Sequence, residues 1–260
     1  MNPFFFGTSA KQLFGVHHPP LIQATRSTAV LLCYPFGDEY MRTHKAMRQL
    51  AIQLAKAGFH VLRFDYFGTG DSAGNGEDAT MEQWIEDIGV AADELKDTSG
   101  HAKISMVGLR LGGTLAVKAA AVRADVDHLL LWDPIVDGAA YFKELMLTPL
   151  QPGAAPVLPA PGATASAAGF PATPALRGEL ATLDLRAPNA VSPGRVTQIV
   201  SHERDEFTGL RERLQGRPDF IYQHAPSPAP WIEPEKSAGA MVLPHAIIQA
   251  IVSNLAGSGE

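Results

Sequence analysis

A chain of 260 residues with 46% hydrophobic and 18% charged side chains is long enough to bury a sizeable core and needs no second one, so a single domain over 1–260 is expected. Its formal charge of -6 gives no electrostatic reason to expect a nucleic-acid partner, and none is expected. One cysteine, Cys33, rules out an internal disulfide and a cysteine-rich zinc site and points to the reducing cytoplasm.

Two short aromatic and β-branched runs come first, Phe4 to Phe6 and Leu13 to His17, separated by Gly7, Thr8 and Ser9. They predict an antiparallel hairpin. No basic residue precedes the first apolar run, so this segment does not read as a signal peptide. Ala29 to Tyr34 is a continuous apolar strand, and Thr43 to Ala57 has helical periodicity, with Met47, Leu50, Ala51 and Leu54 on one face and Gly58 at its end. His60 to Asp65 predicts a strand, Met81 to Lys96 an amphipathic helix, Lys103 to Val107 a strand, Leu111 to Val122 a helix and Asp127 to Trp132 another strand. Such alternation defines an α/β architecture, a mostly parallel sheet of about eight strands with helices on both faces. The pattern breaks at 149–174, where Pro, Ala and Gly dominate; a composition of this kind cannot bury a packed layer and reads as an exposed, flexible, lid-like insertion. Beyond it, Ala175 to Leu185 predicts a helix, Val196 to Ser201 and Phe220 to Gln223 predict strands, and Pro244 to Leu255 predicts a closing helix. No run approaches the ~18 apolar residues needed to cross a bilayer.

Two segments carry the chemistry. Gly108-Leu109-Arg110-Leu111-Gly112-Gly113 lies between a buried strand and a helix of small residues, the setting of a G-x-Nuc-x-G nucleophile elbow. Arg63-Phe64-Asp65-Tyr66-Phe67-Gly68-Thr69-Gly70-Asp71-Ser72 is a strand leading into a G-x-G-x-S turn. With Tyr34-Pro35-Phe36-Gly37 after the preceding strand, these motifs resemble the α/β-hydrolase superfamily over essentially the whole chain, and within it the serine aminopeptidase-like branch. The elbow, together with the MNPFF opening and the later HHPP, is similar to the bacterial group called exosortase A-associated hydrolase 2. The resemblance implies an α/β-hydrolase fold and acyl chemistry without cofactor or metal. It also implies oxyanion amides at Leu111 and Phe36, an acid on Asp205 after the penultimate strand, and a histidine after the last strand.

The sequence departs from that pattern twice. The nucleophile falls on Arg110, whose guanidinium cannot attack a carbonyl, and no histidine lies within Ala225 to Trp231; His224 stands just before that window and His245 opens the final helix. Three readings stay open. Arg110 and the backbone amides form an anion or oxyanion site, with Asp205 and His224 completing a catalytic set for an ester, thioester or carboxylate. Alternatively, Arg110 is neutralised internally by Asp133, Asp205 or Glu39, and the chain is a binding or scaffold protein. In the third, a conventional hydrolase has a displaced nucleophile at Cys33, Ser105 or Ser72. Tyr34, Phe36, Tyr66, Phe67, Trp132 and Trp231 gather at predicted strand ends, the edge where open α/β sheets bind ligands. The candidate binding set is therefore Tyr34, Phe36, Leu111, Asp133, His202 and Trp231, the expected partner is a small acyl or carboxylate ligand, and a homodimer is left open. No two histidines have metal-ligand spacing, so no metal is expected.

Overall fold

The structure is a computed structural model, and it describes residues 1–22, 26–147, 163–167, 170–188, 190–191, 194–231 and 243–257. Among the described residues, ten strands and seven α-helices follow one another as β1 (Asn2–Thr8), β2 (Lys11–His18), β3 (Thr28–Cys33), α1 (Asp38–Lys56), β4 (Val61–Phe64), α2 (Met81–Ser99), β5 (Lys103–Leu109), α3 (Leu111–Ala120), β6 (Val126–Trp132), α4 (Gly138–Leu147), β7 (Ala165–Ala167), β8 (Phe170–Ala172), α5 (Pro174–Ala181), β9 (Arg195–Val200), α6 (Asp205–Leu214), β10 (Phe220–His224) and α7 (His245–Ala256). Eight strands form one sheet in the order β1-β2-β4-β3-β5-β6-β9-β10. The hairpin β1–β2 is antiparallel and joins β4 antiparallel, and every pairing from β4 to β10 is parallel. The expected α/β sheet of eight strands is therefore present.

Continuous apolar runs mark the central strands because both faces are covered. All six residues of β3 are buried, and α1 packs against α7 and α2 against α3 around the sheet. Helix ends carry local signals as well. Thr80 caps α2 by accepting the Gln83 amide, and Gly100 ends that helix in the left-handed region with φ 74°.

Register positions the site. Cys33 pairs with Gly108, Leu109 with Trp132, and Trp132 with Ile199, so these strands end at one level. The residues that follow them, Tyr34, Arg110, Asp133 and Ser201, consequently meet along one edge.

Some elements differ from expectation. Helix α1 begins at Asp38 rather than Thr43, with Asp38 and Glu39 in its first turn, where carboxylates suit the helix dipole. Helices α4 and α6 have no counterpart in the sequence reading. Within the expected insertion at 149–174, residues 149–162 and 168–169 lie outside the described residues. The hairpin β7–β8 closes the rest, and its Ala165 and Ala172 are buried. Small side chains can enter a close-packed seam even where composition argues for exposure.

Candidate functional site

Arg110 occupies the turn between β5 and α3 with φ 53° and ψ -123°, a region costly for a non-glycine residue. The turn is held on three sides. Arg110 N–H donates to Trp132 O at 3.0 Å, and its carbonyl accepts Gly113 N–H at 3.0 Å and Ile135 N–H at 3.3 Å. A Cβ on Gly112 would lie 2.3 Å from Tyr34 O, and one on Gly108 would lie 2.4 Å from Gly113 Cα. The two flanking glycines are thus required by contact, as the elbow motif predicts.

The Arg110 side chain is completely buried. Its Nε donates to Glu39 Oε1 at 2.9 Å, while the Tyr141 hydroxyl donates to Glu39 Oε2, also at 2.9 Å. Arg110 Nη2 lies 3.5 Å from Glu144 Oε2, and the guanidinium carbon sits 5.5 Å from the Tyr141 ring centre. Of the internal carboxylates considered from sequence, Glu39 makes the ion pair, whereas Asp133 and Asp205 do not. Glu144 and Tyr141 were not foreseen, because both lie on α4. Burial raises the Glu39 carboxyl above its usual range, opposed by the charge and hydrogen bond of Arg110 and by the Tyr141 hydrogen bond.

Beside the elbow opens a cavity of about 290 Å³ whose walls include Tyr34, Phe36, Tyr66, Trp84, Leu111 and Phe170. Phe36 stands 5.3 Å from Trp84 and 6.2 Å from Phe170 between ring centres. The polar atoms of these rings are turned to protein partners: Tyr34 Oη accepts from Arg63 Nη1, Tyr66 Oη donates to Tyr34 O, and Trp84 Nε1 donates to Phe67 O. What remains for a ligand is largely aromatic surface. Arg110 does not line this cavity.

A second constellation surrounds Asp133, also at positive φ (42°) and fully buried. Its carboxylate accepts Ser201 N–H at 2.7 Å, Ser201 O–H at 2.7 Å and Trp231 Nε1–H at 3.0 Å. Burial pushes its pKa up, and the Ser201 and Trp231 hydrogen bonds pull against that. His202 stands half-buried with Nδ1 3.0 Å from Ser201 Oγ.

The predicted site residues therefore fall into two groups. Tyr34, Phe36 and Leu111 meet at the cavity, joined by Tyr66 as expected, while Asp133, Trp231 and His202 gather around Ser201. Asp205 and His224 join neither. Asp205 is exposed in the first turn of α6, because the segment read as an acid loop winds into a helix and turns it to solvent. His224 is exposed at the end of the outermost strand, with Nδ1 3.7 Å from Glu203 Oε1. Trp132 is core, stacked edge-on against Trp231 at 5.3 Å. Phe67 packs over Gly74 and leaves the cavity wall to Trp84 and Phe170, which the sequence reading did not select. Among the described residues, no group of three or more His, Cys, Asp or Glu side chains is arranged to hold a metal ion.

A parallel sheet with an antiparallel hairpin at one edge, a strained strand-to-helix elbow and an aromatic cavity at the strand ends define the α/β-hydrolase class. Residues 27–177 match the family described as serine aminopeptidase, S33, and the chain belongs to that family. Est1E from Butyrivibrio proteoclasticus, solved with ferulic acid bound, shares the fold at a TM-score of 0.70 and 17% identity over 98% of this chain and 97% of that one. Alpha/beta hydrolase domain-containing protein 10 from mouse does so at a TM-score of 0.62 and 17% identity, over 99% of this chain and all of that one (100%). In sequence, 92 residues are 34% identical to the human mitochondrial palmitoyl-protein thioesterase ABHD10, covering 35% of this chain and 29% of the relative. The match thus spans under a third of that relative's length. No described helix is long and apolar enough to cross a membrane.

Proposed function

We propose that this chain is an acyl-ligand-binding member of its family that forms no acyl-enzyme at the elbow. The observation carrying this reading is the Arg110–Glu39 pair: the side chain at the nucleophile position is a buried cation committed to an internal carboxylate. A second feature supports it. Trp231 ends the segment where the family's histidine is expected, and its indole N–H donates to the buried acid Asp133 in the way a catalytic imidazole N–H donates to its aspartate. Indole is a donor only and cannot take up a proton, so the residue standing where the family's histidine is expected cannot act as its general base. The alternative nucleophiles are similarly disfavoured. Cys33 is fully buried with its thiol pushed up to about 12 by burial, Ser105 is buried against Thr28, and Ser72 spends its hydroxyl on Asp65 O.

The cavity lies against Phe36 and Leu111, whose amides correspond to the family's oxyanion donors. Its volume is near the lower end of the range for small-molecule pockets, and its aromatic walls suit a short acyl chain or an aromatic acid. The thioesterase relative and the ferulic-acid neighbour agree with a ligand of that kind. The buried thiol of Cys33 is in keeping with a reducing, cytoplasmic setting.

The test combines labelling with binding. A fluorophosphonate probe should leave the native protein unlabelled, and short acyl esters should bind, by calorimetry, without turnover. Phe170→Ala should weaken that binding by roughly tenfold, the loss of a well-packed aromatic contact. Turnover of an ester that disappears in Arg110→Ala would replace this reading with an enzyme using Arg110 as its oxyanion ligand.

A further inference from the structure

Arg63 on β4 is a second buried guanidinium, 8% exposed, and unlike Arg110 it has no carboxylate partner among the described residues. Its Nε donates to His18 Nε2 at 3.2 Å and its Nη1 to Tyr34 Oη, also at 3.2 Å; both acceptors are neutral. The remaining nitrogen, Nη2, has no partner among the described residues and is not sealed from solvent. Buried charges are ordinarily paired, so a guanidinium met only by an imidazole and a phenol lacks its counter-charge. Asp65, two residues along the chain, is committed elsewhere: it accepts the Tyr40 hydroxyl at 2.7 Å and Asp71 N–H at 3.0 Å.

The surroundings add positive charge. Helix α1 packs on β2 and β4 and brings His44 and Arg48, one turn apart on one helix face, to this side of the sheet. His44 is half-buried, its ring 6.1 Å from Tyr34 and 6.0 Å from Tyr40, and Arg48 is exposed. Neither has a hydrogen-bond partner among the described residues. Burial lowers the pKa of His44, and Arg63 and Arg48 act in the same direction against the opposing charge of Asp65. His18 is held down to about 4 by burial, then by Arg63, the Met1 amino group, His17 and Arg48. We propose that Arg63 Nη2, Arg48 and His44 form a binding site for a phosphate group, free or carried as a monoester, between α1 and strands β2 and β4. Charge selects phosphate. With Asp65 ionised, Arg63, Arg48 and a protonated His44 leave two positive charges, which a phosphate dianion matches and a carboxylate does not. A bound dianion reverses the field that keeps His44 neutral, so His44 takes up a proton as phosphate binds. The inference is independent of what fills the aromatic cavity.

Inorganic phosphate is titrated into the full chain at pH 7 and constant ionic strength, with affinity read by calorimetry and the His44 ring signals, identified by their loss in His44→Gln, followed by NMR. Those signals should move saturably toward imidazolium positions, with a dissociation constant in the millimolar range or below. Arg48→Glu, a change at an exposed position, should weaken binding by about tenfold or more. Arg63→Lys keeps the charge but loses the guanidinium fork and should weaken binding several-fold; should it fail to fold by circular dichroism, Arg48→Glu and His44→Gln decide. Glycerol phosphate binding more tightly than phosphate supports the site as one for a monoester, and weaker binding supports it as one for the free ion. Acetate binding as tightly as phosphate would overturn the assignment to phosphate. Phosphate affinity unchanged in Arg48→Glu, or His44 signals that stay in place, would overturn the site.

Discussion

Replacing Arg110 by alanine should leave the elbow backbone in place but strand Glu39 as a buried, unpaired carboxylate with only the Tyr141 hydroxyl beside it. Glu39 is 6% exposed, so water cannot take over the role of the guanidinium. Removing one partner of a buried pair costs about 3–5 kcal/mol, a large part of the ~5–15 kcal/mol by which a domain is stable. For a chain of this size that amounts to a fall in Tm of about 6–20 °C. The deficit should depend on pH. Burial raises the folded-state pKa of Glu39, and the variant loses the cation that opposed the rise. The folded variant then holds that proton more tightly than the unfolded chain, so its stability is greatest below the ordinary glutamate pKa of about 4.3 and falls as pH rises toward the raised folded value. Thermal melts from pH 4.5 to 8 should show wild type and Arg110→Ala diverging with increasing pH. Glu39→Gln in the same background should recover most of the loss, since a neutral amide still accepts the Tyr141 hydrogen bond. A melting temperature within about 2 °C of wild type at pH 8, or no recovery from Glu39→Gln, would refute the view that this pair locks the elbow.

Gly112→Ala should abolish soluble expression, because its new methyl would stand 2.3 Å from Tyr34 O and 2.4 Å from Cys33 O, both backbone atoms; normal yield of folded protein would contradict that. Trp231→Phe keeps an aromatic ring against Trp132 but removes one of three donors to Asp133. It should cost about 1–3 kcal/mol in chemical denaturation, more at pH 8 than at pH 5, since the weakened site raises the Asp133 pKa further. Cys33 should ignore a thiol reagent in the native state at pH 8 and react with it in denaturant, because its thiol is fully buried and titrates only at about 12.

The amino-acid sequence by itself determined the sheet and its elbow. Continuous apolar runs flanked by amphipathic helices leave little choice but a parallel sheet covered on both faces, and Gly108 and Gly112 flanking one residue announce a turn that no side chain could enter. Tyr34, Phe36, Tyr66 and Leu111 were legible as cavity residues for the same reason: each lies at or just beyond the end of a recognisable strand. Other features were out of reach. Asp205 looked like an acid on a loop, yet α6 turns it outward; Trp231 looked like a pocket aromatic, yet its indole N–H serves Asp133. Glu144 and Tyr141 lie on a helix whose pattern is weak, so nothing local named them. Which carboxylate neutralises Arg110 depended on α1 starting five residues earlier than its apolar periodicity indicates and on α4 folding back over the elbow. Those are contacts between residues 71 and 34 positions apart. Periodicity and turn chemistry are local and can be read along the chain, but the pairing of buried charges is settled by which elements the packed core brings together, and only the tertiary structure decides that.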